Sequence, residues 1–131
     1  MTEIIRAPHS GFCFGVVKAV KTAYEALESE DSEVYICGEL IHNKAVTDDL
    51  TAKGLIVIER PSEARRGGVL LIRSHGMPPE AYAEAKENAL EIVDMTCVFV
   101  AKIHKIAEET KKSGKRLIIF GNAEQIGRAH V

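Results

Sequence analysis

The chain has 131 residues, 46% of them hydrophobic and 27% charged, with a formal net charge of −2. That size fits one ordinary domain able to bury a core, and the composition is that of a globular chain rather than a disordered one. The charge gives no electrostatic reason to expect nucleic acid or an anionic membrane as a partner, so any anionic ligand must be held by local geometry.

Glu3–Ala7 reads as a strand, followed by a helix over Phe14–Ser29 with Val17, Val20, Ala23, Tyr24 and Leu27 on one face. Val34–Cys37 reads as a strand, and a helix over Asn43–Lys53 follows, stopped by Gly54. Leu55–Ile58 is a short strand. After a Pro-Ser-Glu turn and Gly67-Gly68, Val69–Arg73 is an apolar run typical of a strand covered on both faces. Pro78-Pro79 opens a helix to about Ala89, since proline is tolerated in a first turn. Glu91–Asp94 reads as a strand, Val98–Lys112 as a helix stopped by Gly114, and Arg116–Phe120 as a last strand. Strands alternating with helices at this spacing predict an α/β fold, a parallel sheet flanked by helices on both faces.

No apolar run approaches the roughly 20 residues needed to cross a bilayer. The N-terminal stretch Met-Thr-Glu-Ile-Ile-Arg lacks the basic start and long apolar run of a signal peptide. The three cysteines, Cys13, Cys37 and Cys97, are odd in number and far apart, a poor basis for a disulfide framework. Together these features point to a reducing cytoplasm, where cysteines are free, catalytic or metal-bound.

The strand-to-helix junctions hold the reactive residues. The first carries Gly11-Phe12-Cys13-Phe14-Gly15 and the second Glu39-Leu40-Ile41-His42-Asn43. The later ones carry Ser74-His75-Gly76 and Met95-Thr96-Cys97. Two cysteines and two histidines thus fall at the carboxyl ends of strands, the edge at which open α/β sheets bind ligands. A helix N-terminus there favours a thiolate over a thiol and stabilises a phosphate group. Taken singly, each cysteine has an ordinary reading as a packed thiol and each histidine as a surface or capping group. Cys37, inside a strand, reads as core; His104, between Lys102 and Lys105 mid-helix, reads as solvated; His9 precedes the first cysteine motif without being required by it.

The same junctions resemble the motifs of the 4-hydroxy-3-methylbut-2-enyl diphosphate reductases. Gly11-Phe12-Cys13-Phe14-Gly15-Val16 is similar to that family's first cluster-ligand motif, and Asp94-Met95-Thr96-Cys97 to its second, with Val100 and Lys102-Ile103-His104 in register. Leu40-Ile41-His42-Asn43 and Arg73-Ser74-His75-Gly76 resemble its two diphosphate-binding histidine segments. Proline usually follows the family's second cysteine; Val98 stands here, which alters the helix start but removes no ligand.

The resemblance implies a 4Fe–4S cluster with Cys13 and Cys97 as two of its three cysteine ligands, and His42 and His75 on the diphosphate of an allylic diphosphate substrate. It implies reductive removal of the substrate hydroxyl as water, giving isopentenyl and dimethylallyl diphosphate, with electrons from a ferredoxin- or flavodoxin-type donor. It also implies the first lobe (residues 1–97) and the start of the second (98–131) of a three-lobed assembly, with strand 3–7 pairing with a later lobe. The third cysteine, a third histidine, a proton-relay glutamate and a Ser/Asn substrate cradle belong to parts of the family pattern that this sequence does not contain.

Where the family reads His-Pro-Glu after Gly121-Asn122-Ala123-Glu124, this chain reads Gln125-Ile126-Gly127-Arg128-Ala129-His130-Val131. The expectation is a fragment whose native sequence stops after about Glu124, with residues 126–131 a non-native tail, and no role passes to Glu124, Gln125 or His130. Two other readings compete. One joins Cys13, His42, His75 and Cys97 as a Cys₂His₂ zinc site, though without the short Cys-x-x-Cys spacing of structural zinc sites. The other is a non-catalytic module that binds phosphate esters.

Overall fold

A period-two alternation of apolar side chains sets the layout of the sheet. In the computed structural model, which describes residues 3–29 and 31–120, strands β1 (Val34–Cys37), β2 (Ile56–Ile58), β3 (Val69–Ile72) and β4 (Glu91–Asp94) form one parallel sheet. Their order is β2-β1-β3-β4, with Ile36 opposite both Val57 and Leu71, and Leu71 opposite Val93. Successive side chains point to opposite faces. Val34, Ile36, Val69 and Leu71 therefore enter one core layer, and Tyr35 and Leu70 enter the other.

The first layer is covered by α1 (Phe14–Ser29) and α2 (Lys44–Ala52), through Ala19, Ala23, Ala26 and Leu50. The second is covered by α3 (Pro79–Glu87), through Ala85, and by a 3₁₀ turn over Pro61–Glu63. Helices on both faces explain why β3 is buried along its whole length and reads as a continuous apolar run. Helix α4 (Val98–Lys112) follows β4 and buries Ala107.

The elements match expectation in number except at the two ends. Glu3–Ala7 and Arg116–Phe120 are not strands. Their β-prone residues find no ladder partner among the described residues, and a strand exists only by pairing. Ile4 is 92% exposed and Phe120 96%. Residues 121–131, including Glu124, Gln125 and His130, lie outside the described residues.

Smaller differences have local causes. Asn43 is the N-cap of α2 rather than its first residue, its side chain accepting from the Val46 N–H at 3.2 Å. Helix α3 stops at Glu87, not near Ala89, because the Asn88 amide donates to the carbonyls of Pro61 (3.2 Å) and Ala64 (2.6 Å), and Ala89 then turns left-handed. Val17 is exposed; the inner stripe of α1 is the alanine row, with Val16, Val20, Tyr24 and Leu27 packed beside it.

Candidate functional site

Strand order creates the site. From β1 the chain crosses through α2 on one face to β2, and from β3 it crosses through α3 on the other face to β4. The two connections part company at the carboxyl ends of β1 and β3, which is where an open α/β sheet leaves a crevice for a ligand. His42 follows β1 and His75 follows β3. Their rings stand 6.3 Å apart, centroid to centroid, tilted by 42°.

His42 sits just ahead of the α2 N-cap, with its Nδ1 3.5 Å from Glu39 Oε2. His75 belongs to a tight turn closed by the Gly76 N–H donating to the Arg73 carbonyl at 2.9 Å. Gly76 carries that turn at φ +76°, a conformation a side chain strains. Both imidazoles are exposed, so an incoming anion can reach them.

The cysteines occupy equivalent places on two helices. The Cys13 carbonyl accepts from the Val17 N–H and the Cys97 carbonyl from the Ala101 N–H, both at 2.9 Å, so each opens a helix, α1 and α4. Phe14 and Phe99, one residue into α1 and two into α4, meet edge to face at 5.8 Å. A Cβ built on Gly15 would lie 3.4 Å from Cys97 Sγ, so the absent side chain lets the second thiol rest on the first turn of α1. The helix begins at Val98 without the proline.

The two pairs adjoin. Cys97 N–H donates to the Ser74 carbonyl at 2.9 Å, tying the second cysteine to the residue before His75. Asp94 shapes the loop between: its carboxylate accepts from the Thr96 N–H at 2.8 Å, from the Thr96 hydroxyl, and from the Tyr82 hydroxyl at 2.8 Å. Partial burial opposes its ionisation, but the hydrogen bonds from Thr96 and Tyr82 outweigh that and hold its carboxyl below the usual range.

His42, His75 and Cys97 therefore follow β1, β3 and β4 along one sheet edge. Cys13, expected to follow a strand, instead opens α1 with none before it among the described residues, and the first turn of that helix meets Cys97 at Gly15. Among the described residues no three His, Cys, Asp or Glu side chains gather into a group that could hold a metal ion. Cys37 is half-buried against the α3-side core, and burial, with Glu63 and Glu84 nearby, pushes its thiol up to about 11. Its half-burial against that core is close to the core reading.

His9 is exposed ahead of α1. His104 departs from expectation. It is half-buried, and its Cε1 would lie 3.1 Å from a Cβ on Gly76, beside Thr96. Its place inside α4 hid this, because helical periodicity says nothing of a contact with a loop some thirty residues earlier. On the α3 side of the same edge an open groove of about 770 Å³ is lined by Arg60, Arg73, Gly76, Met77 and Glu84 among others. Among the described residues no helix is long and apolar enough to cross a membrane.

The LytB protein family model matches residues 4–126. The 4-hydroxy-3-methylbut-2-enyl diphosphate reductase of Alkaliphilus oremlandii is 44% identical over 121 residues, covering 92% of this chain and 43% of the relative. Its namesake in Caldanaerobacter subterraneus is 43% identical over 123 residues, with the same coverage. The solved reductase of Plasmodium falciparum superposes with a TM-score of 0.76 at 31% identity, covering 81% of this chain and 33% of that one. A second solved structure, of (E)-4-hydroxy-3-methyl-but-2-enyl diphosphate reductase, gives a TM-score of 0.71 at 30% identity, with 98% and 54% covered. The chain thus spans about two fifths of the length of the curated relatives it matches.

Proposed function

The chain belongs to the LytB family, and from that premise we propose that it forms one part of a 4-hydroxy-3-methylbut-2-enyl diphosphate reductase. The reaction takes two electrons and two protons, breaks the allylic C–O bond, and releases the hydroxyl as water, leaving isopentenyl and dimethylallyl diphosphate. What supports this most is the juxtaposition of two helix-opening cysteines with two histidines at the β1/β3 switch point. The relatives' names supply the substrate.

Two soft sulfur donors, with Cys97 Sγ seated on Gly15, suit an iron–sulfur cluster and provide two of its three cysteine ligands. Cys37, in the opposite core layer, is not the third. When bound, the cluster supplies electrons and a Lewis-acidic iron for the substrate oxygen.

The chain's own residues do the rest. His42 and His75 donate hydrogen bonds to the diphosphate, aided by the N–H groups at the start of α2. The Arg73–Gly76 turn and the Asp94–Thr96 loop fix where His75 and Cys97 stand.

In this reading residues 1–97 are the first lobe, and α4 begins a second. The outer stripe of α4 supports the division: Phe99, Ile103 and Ile106 are exposed at helical spacing, an apolar face suited to burial against further chain. Electrons come from a ferredoxin- or flavodoxin-type donor, and the three free cysteines suit the cytoplasm.

The test is anaerobic reconstitution of a full-length enzyme bearing this sequence. It should bind iron and sulfide and turn over the allylic diphosphate, while the 131-residue chain alone should be inert. Diphosphate binding that persists with both cysteines replaced and no cluster formed, without turnover, would favour a phosphate-ester module instead.

A further inference from the structure

We propose that His104 is a positioning residue, a wedge on α4 that holds the histidine turn and the cysteine turn in one fixed relation. This rests on the roles proposed above for His75 and Cys97. Gly76, buried and left-handed, directly follows His75. A Cβ there would stand 3.1 Å from His104 Cε1, 3.4 Å from Thr96 Oγ1 and 3.5 Å from Thr96 Cγ2. The edge of one imidazole and one threonine therefore close over the glycine.

Thr96 is locked by Asp94 and directly precedes Cys97, which is bonded through its N–H to the Ser74 carbonyl. Along this path His104 bears on the residue after the anion-binding histidine and beside the residue before the ligating cysteine. No other residue of α4 meets the space above Gly76 as closely. His104 lies on α4, which Cys97 caps, so this helix comes back to brace its own starting loop.

Such a wedge acts through shape. Truncating it frees the Arg73–Gly76 turn, and His75 loses its fixed approach to the diphosphate. A planar ring of similar size restores the fit.

The experiment compares His104→Ala and His104→Phe with the wild type in a full-length enzyme bearing this sequence. Inorganic diphosphate affinity is measured by calorimetry, alongside kcat, KM and melting temperature. His104→Ala should weaken diphosphate binding about 10-fold and raise KM more than it lowers kcat, the scale of a partly lost charge-assisted hydrogen bond. His104→Phe should recover most of that loss.

Gly76→Ala should weaken diphosphate binding as well, and less so in the His104→Ala background, because the new Cβ no longer meets the ring. Unchanged diphosphate affinity and KM in His104→Ala, with a lowered melting temperature alone, overturns the assignment, as does failure of the phenylalanine to rescue. If the wild type does not bind diphosphate, it is the anion-site reading that fails.

Discussion

The cysteine end and the histidine end of the site share one sheet edge but are built from different materials. Around Cys13 and Cys97 the exposed side chains are large and apolar: Phe12, Phe14, Val17, Val98 and Phe99, with Ile103 and Ile106 further along α4. Around His42 and His75 they are polar: Glu39 within 3.5 Å of His42, the Asn43 cap, and the Arg73-Ser74 turn. An apolar surround left open to water is costly unless something covers it, and it sets the dielectric of any metal centre it encloses. A polar, solvated surround suits an anion that arrives and leaves. The contrast supports the proposed division of labour, with metal ligation at the apolar end and anion capture at the polar one.

The largest effect should come from the cysteines. In a full-length enzyme bearing this sequence, Cys13→Ser or Cys97→Ser is expected to abolish iron–sulfide content and turnover together. A thiolate ligand is lost, and Cys37 faces the other core layer. Iron at wild-type level in either variant contradicts the ligand assignment.

The apolar rim can be tested next. Ile103→Ala should change the stability of the 131-residue chain by no more than about 0.5 kcal/mol, since the side chain is 60% exposed. In a full-length enzyme, where the proposed second lobe covers that face, the same change should cost about 2–5 kcal/mol, read by denaturant titration. Equal costs in the two settings would mean that the face stays open.

At the polar end the effects are smaller. His42→Ala and His75→Ala should each leave the cluster in place and weaken diphosphate binding by about 1–3 kcal/mol.

Smallest is Asp94. Its folded carboxyl titrates below the usual range, so its contribution is present above the unfolded pKa of about 4 and disappears as pH falls through the lower folded value. Melting temperatures of Asp94→Asn and the wild type should therefore differ near neutral pH and converge below about pH 4. A constant gap across that range counts against the loop-locking role.

Much of the fold was legible because it is written in local patterns. Phe14–Ser29, Val34–Cys37, Glu91–Asp94 and Val98–Lys112 form over the residues expected, each bounded by a cap, glycine or change of period. The two terminal segments form no strand among the described residues because β propensity specifies a preference and pairing specifies the strand. The expected apolar face of α1 shares Ala23, Val20, Tyr24 and Leu27 with the packed one but takes exposed Val17 in place of Ala19, Ala26 and Val16, since small residues mark a packed face less plainly than large ones.

The junction rule singled out His42, His75 and Cys97, which do stand between a strand and a helix, while Cys13 opens α1 with no strand before it among the described residues. The family resemblance divided them into a cysteine pair and a histidine pair, and strand order adds that the two histidines meet at the β1/β3 switch point. His104 escaped because nothing local marks a helix residue that touches a distant turn.

The most direct test measures two quantities on the same samples: iron–sulfide content and inorganic diphosphate affinity of Cys97→Ser and His75→Ala, each in a full-length enzyme bearing this sequence. The expected result is a crossed pattern. Cys97→Ser loses the cluster and keeps most of its diphosphate affinity, while His75→Ala keeps the cluster and loses affinity about 10-fold or more. If either variant loses both quantities equally, or if His75→Ala loses iron while binding diphosphate normally, the division of the site into a cluster end and a diphosphate end is wrong.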